Sequence, residues 1–144
     1  MYLVSACLAG FRTRYDGEDA FDERVKALLT SGKAVAVCPE QLAGLPTPRP
    51  PVEFASGDGG SLLDGDGRIL DAMGADISDT FVRGAMEALR IARLYGITKA
   101  ILKDGSPSCG VTYVYSGGSR RAGRGVCAEL LERNNIGVMT VDSL

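Results

Sequence analysis

Three short apolar runs in this chain each end at a cysteine in a turn, and that repeated pattern limits the fold more than any other feature. Met1 to Ala6 leads into Cys7 and Gly10, Ala34 to Val37 into Cys38 and Pro39, and Lys99 to Lys103 into the turn D-G-S-P-S-C-G that presents Cys109. Runs of this length, stopped by Gly, Pro and Ser, read as buried strands followed by turns. If the three strands are neighbours in a parallel sheet, all three thiols lie outside its carboxyl edge, where open α/β sheets gather ligands.

The segments between those runs supply the crossovers. Phe21, Val25, Leu28 and Leu29 form a helical stripe closed by Gly32, and the spacing of Phe81, Ala85, Leu89, Ala92 and Leu94–Tyr95 predicts a long helix after an N-cap within Asp76–Asp79. Gly125 to Arg133 reads as a last helix, with Cys127 packing as a small apolar residue, and Gly137 to Val141 as a last strand. Cys38 to Pro51 holds five prolines and reads as a stiff extended loop. Val52–Ala55 and Arg68–Leu70 read as a small hairpin; the Asp and Gly residues between them lack the bidentate acid that a calcium loop needs. Thr112 to Tyr115 reads as a short extension of the third strand, and Ser116 to Arg124 as a loop. The expected fold is therefore α/β: one domain over residues 1–144, three layers, a mostly parallel sheet flanked by helices, and a small β-hairpin.

Composition narrows the function classes. The chain has 144 residues and a net charge of -2, so it offers no polycationic surface for tight nucleic-acid binding. No apolar run approaches a membrane span and no signal segment precedes the first strand, so a cytoplasmic setting is expected. In a reducing compartment, clustered cysteines bind metal or do chemistry more often than they form disulfides. The chain contains no histidine, which removes imidazole acid–base catalysis and mixed Cys/His zinc sites. Proton transfer falls to carboxylates, Lys, Tyr, Cys or water.

Three thiolates from separate strand ends are soft ligands, suited to zinc, copper(I) or an iron–sulfur cluster. Structural zinc takes four ligands, usually from C-x2-C knuckles that are absent here. Three cysteines on a four-iron cubane would leave one iron without a protein ligand, a Lewis-acid position. The bland alternative is three half-buried cysteines of ordinary packing.

S-A-C-L-A-G with R-Y-D-G, C-P-E-Q-L-A-G-L-P-T-P-R-P-P and L-K-D-G-S-P-S-C-G together resemble the thiouracil-desulfidase-like family formerly catalogued as DUF523, over essentially the whole chain. The resemblance implies a [4Fe-4S] cluster held by Cys7, Cys38 and Cys109, with the fourth iron open to substrate sulfur. It implies non-redox removal of sulfur from a thiolated pyrimidine such as 2-thiouracil, giving the oxo base and sulfide. The sequence departs from the pattern at Thr13, where many relatives carry a further cysteine, and at Asp104–Gly105, where a small or polar residue and Arg are common.

Within that reading Glu40, two residues after Cys38, is the expected water-activating carboxylate, although it would serve equally as an acceptor for loop N–H groups. Ser106 is placed with it as a catalytic hydroxyl, and Ser108, Asp104 and Arg49 as substrate contacts. Ser106 and Ser108 fit turn and cap roles as well, Arg49 fits a loop-holding ion pair, and Lys103 with Asp104 fits either a proton relay or a solvated pair. Arg14, Tyr15 and Asp16 are expected to hold the first loop over the site. The expected partner is a small thiolated base or nucleoside, with no membrane and no tight nucleic-acid binding; a homodimer is left open. Two other functions use the same three cysteines: a cluster or sulfide carrier without hydrolytic activity, and an open-iron hydro-lyase.

Overall fold

The computed structural model describes residues 1–144. Its elements in chain order are β1 (Tyr2–Ser5), α1 (Glu23–Thr30), β2 (Ala34–Val37), α2 (Pro39–Leu42), β3 (Phe54–Ser56), α3 (Gly59–Leu63), β4 (Arg68–Ile69), α4 (Ser78–Leu94), β5 (Lys99–Ile101), β6 (Tyr113–Ser116), β7 (Ser119–Ala122), α5 (Val126–Arg133) and β8 (Gly137–Met139). The first sheet has the order β2-β1-β5-β8 and is parallel throughout. Ser5 pairs with Val37 and Val4 with Ile101, so the chain leaves all three cysteine-bearing strands almost level. The first strand stops at Ser5 because Ala6 to Ala9, with Cys7 inside, turn into a 3-10 helix closed by Gly10.

Side chains alternate across that sheet. Val4 and Ile101 face α1 through Val25, while Leu3, Val37 and Ala100 face the larger core. That core takes Phe81, Ala85, Leu89 and Ala92 from α4 and Val126, Cys127 and Leu131 from α5, giving three layers. No helix is long and apolar enough to cross a membrane.

The structure corrects several local expectations. The stripe of α1 excludes Phe21, which is half-exposed; the helix starts after Asp22, whose carboxylate accepts from Arg24 N at 2.9 Å. Asp76 does cap α4, accepting from Ser78 N at 2.9 Å, but it stands one residue before the N-cap position, and Leu94 and Tyr95 end the helix exposed. Cys38–Pro51 is not extended throughout: Pro39 opens the single turn α2, because a first-turn residue needs no N–H and the proline φ already suits a helix.

The small hairpin is the largest underestimate. β3 and β4 do pair antiparallel, but α3 lies between them, capped by reciprocal Asp58 and Ser61 bonds, and they belong to a second four-stranded sheet ordered β4-β3-β6-β7. β6 and β7 form a two-residue hairpin across Gly117 and Gly118, both at positive φ (62° and 85°), as a primed turn requires. Thr112–Tyr115 is thus no continuation of the first sheet, and Ser116–Arg124 is largely strand.

The α2 turn is seated on α4 where Gly84 leaves no side chain. A Cβ there would stand 2.0 Å from the Pro39 carbonyl oxygen and 3.0 Å from Ala43 Cβ. Gly84→Ala is expected to lower stability by about 1–3 kcal/mol, read as a lower urea midpoint with unchanged slope, because backbone must move to admit the methyl.

Candidate metal centre

Three loops from adjacent strand ends build one cavity of about 660 Å³. Cys7, Cys38 and Cys109 all line it, with Glu40, Arg49, Asp104 and Ser106. Ser108 does not; it is buried behind the wall. The thiols are unpaired with one another, and no group of three or more His, Cys, Asp or Glu side chains converges tightly enough for a single metal ion. The donor set is thus three soft thiols spread around a space larger than one ion, which fits a polynuclear sulfur-bridged group better than zinc.

The loop carrying Cys109 is held from two sides. Ser106 Oγ accepts from Ser108 N and Cys109 N, both at 3.0 Å, the turn role its position allows. The leading amides of α5 then donate to the same loop, Val126 N to Pro107 O at 2.8 Å and Cys127 N to Ser108 O at 2.9 Å, so the helix start finds its acceptors in the site. Asp104 organises the far side. Its carboxylate accepts from Gly105, Val111, Thr112 and Tyr113 main-chain N–H groups and from the Thr112 hydroxyl. Lys103 Nζ donates to the Asp104 main-chain oxygen rather than to its carboxylate, so the two do not form a relay.

Glu40 joins the loops. Arg49 Nε donates to its Oε1 at 3.0 Å and Ser108 Oγ to its Oε2 at 3.2 Å. The remaining Arg49 nitrogens donate to Pro46 O, Thr47 Oγ1 and Thr13 O, the last reaching the first loop. Both side chains of the pair are largely buried, at 6% and 13% exposure, and removing one partner of such a pair costs about 3–5 kcal/mol. Arg49, Ser108 and Asp104 therefore all have protein partners at their polar atoms.

Burial pushes the Cys7 thiol up to about 11, with Cys38 adding to the rise and Lys103 and Arg14 opposing it. Burial likewise holds Cys109 well above 9.0, followed by the neighbouring Cys127. Cys127, fully buried within α5, is pushed up to about 12 by burial first and then by Cys38. It packs in the core as expected.

Sequence reasoning missed Tyr113 and Tyr115, which line the cavity from the second sheet, and placed Tyr15 only as part of the covering loop. The signal was present: Y-V-Y-S, Gly-Gly and S-R-R-A is an alternating run, a primed-turn dipeptide and a second run.

A family model described as 2-thiouracil desulfurase matches residues 2–143. The chain belongs to the 2-thiouracil desulfurase family. Within it, the chain is 39% identical over 147 residues to the Bacillus subtilis (strain 168) protein YbbK, covering all of this chain and 97% of that one. Among solved structures it is similar to the [4Fe-4S]-dependent thiouracil desulfidase TudS, with a TM-score of 0.86 and 40% identity over 99% of this chain and 91% of that one. This desulfurase-family member thus shares its whole architecture with an iron–sulfur enzyme.

Asp104 gives the site a pH signature. Its burial alone would raise the carboxyl, but the hydrogen bonds from Thr112, Val111 and Tyr113 outweigh it and hold the group below 3.8. Its contribution is therefore complete above the unfolded value and lost as pH falls through the lower folded value. Asp104→Asn is expected to cost about 1–3 kcal/mol at neutral pH and to flatten the loss of stability below about pH 4, measured by urea unfolding across that range.

Proposed function

We propose that this chain is a [4Fe-4S]-dependent desulfidase that hydrolyses the thiocarbonyl of a thiolated pyrimidine such as 2-thiouracil, yielding the oxo base and hydrogen sulfide. The observation that carries the reading is the meeting of three thiols and one fixed carboxylate in a single cavity, in a chain 40% identical to a thiouracil desulfidase. Cys7, Cys38 and Cys109 are the residues that would hold the cluster. When bound it supplies an iron without a protein ligand, a Lewis acid for the substrate sulfur. The thiols must lose their protons to ligate; Lys103 and Arg14, which already lower Cys7, favour the charged form there.

Glu40 is the general base of this reading. Arg49 donates to one carboxylate oxygen and Ser108 to the other, which fixes the plane, and each oxygen keeps a second lone pair for a water proton. Water adds its oxygen to the thiocarbonyl carbon and gives one proton to Glu40. As the carbon–oxygen double bond forms the carbon–sulfur bond breaks, and the proton held by Glu40 and the remaining hydroxyl proton both leave on sulfur as hydrogen sulfide, with no change of oxidation state. Ser106 holds the Cys109 turn through its oxygen and keeps its own O–H to donate within the cavity. Arg49, Ser108 and Asp104 act by holding loops: Arg49 ties Glu40 to Thr13, Ser108 ties it to the Cys109 turn, and Asp104 ties the turn to β6 through Tyr113 N. Pro51, Val52 and the tyrosines line the rest of the space.

Anaerobic reconstitution is expected to give about four iron and four acid-labile sulfide per chain, with sulfide released on adding 2-thiouracil. Ser in place of Cys7, Cys38 or Cys109 is expected to abolish retained iron, whereas Cys127→Ala keeps it. Glu40→Gln is expected to keep iron while kcat falls about 10²–10⁴-fold. A full iron complement with no sulfide release from any thiolated pyrimidine overturns hydrolysis, and failure to retain iron overturns the whole reading.

A further inference from the structure

Tyr113 stands between the thiol-lined cavity and a second cavity of about 390 Å³ and lines both, as do Lys103 and Asp104. Its two sides differ. The Arg120 guanidinium lies over the ring, 3.6 Å from its centroid, and Arg120 lines only the second cavity. Gly105 meets the phenol end and lines only the thiol cavity. A Cβ on Gly105 would stand 2.9 Å from both the Cε2 and the hydroxyl oxygen of Tyr113, so the phenol occupies the space that a side chain at 105 would take. Tyr115 meets the ring edge-on at 6.0 Å and 86°. Cation stacking on one side, an edge contact and a backbone at φ +82° therefore fix where the hydroxyl points. Beyond strand pairing, the residue's hydrogen bond is from its main-chain N–H to Asp104, which leaves the phenol O–H free for a ligand.

We propose that Tyr113 is a specificity-determining residue, its O–H donating to the exocyclic ring oxygen of the pyrimidine while the sulfur end of the ring is turned toward Cys7, Cys38 and Cys109; this rests on the desulfidase reading. A wall that supplies a hydrogen bond to a substrate oxygen discriminates against a ring that lacks it. The ligand class is a six-membered ring whose oxygen stands on the carbon one ring nitrogen away from the reacting carbon. Gly105 is part of the same device, since any side chain there displaces the phenol.

The test compares cluster-loaded wild type, Tyr113→Phe and Gly105→Ala, with iron content confirming each fold. Calorimetric Kd values are measured for uracil and for pyrimidin-2-one, which lacks the second exocyclic oxygen. In parallel, kcat/KM is measured for 2-thiouracil and pyrimidine-2-thione. Wild type is expected to prefer the ring with the second oxygen in both comparisons. Both variants are expected to weaken uracil binding by about 10-fold, with pyrimidin-2-one unchanged. Preference retained in either variant, equal loss for both rings, or no binding of either ring to wild type overturns the proposal. The calorimetric preference lost in the variants, with no sulfide released by wild type, would sink hydrolysis while Tyr113 keeps its role.

Discussion

Parallel pairing of β1 with β2 on one side and β5 on the other is the constraint on which the site depends. Because Ser5 pairs with Val37 and Val4 with Ile101, three chain segments that are far apart in sequence leave the sheet at nearly the same height. A shift of one residue in either pairing would turn a core side chain to the wrong face and also move one thiol out of line. The alternation that buries Val4 and Ile101 under α1, and Leu3 and Ala100 under α4 and α5, therefore fixes the cysteines as well as the core.

Polar groups then turn that edge into a cavity. The loop leaving β5 would expose main-chain donors and acceptors, and here they are taken up by Asp104, Ser106 and the start of α5. No buried side-chain nitrogen or oxygen lacks a hydrogen-bond partner. The one costly feature, a largely buried carboxylate, is met by an arginine whose other nitrogens are also bonded.

What the sequence revealed follows from which forces are local. The strand-then-turn pattern ending in Cys7, Cys38 and Cys109 is written in consecutive residues, and so is the helical spacing of Phe81, Ala85 and Leu89. The second sheet is different. β3 pairs with β6 across roughly sixty residues through one register point, Phe54 with Ser116, and such pairing has no local signature. Reading Thr112–Tyr115 as part of the first sheet hid the tyrosine wall for that reason. Pro39 misled in another way, because prolines exclude a helix interior but suit its first turn. For Arg49, Ser108 and Asp104, residue type gave the neighbourhood, and only geometry gave the partners.

The chain Thr13–Arg49–Glu40–Ser108 links all three loops through side-chain hydrogen bonds. Groups joined in one network do not vary independently. A replacement at position 40 alters what is tolerated at 49 and 108, and the reverse holds. Divergence in this family member is thereby confined: the core beneath the sheet can drift residue by residue, whereas the three loops above it must change as a set. Epistasis, rather than the chemistry of any single side chain, sets how far the rim of this cavity can be remodelled.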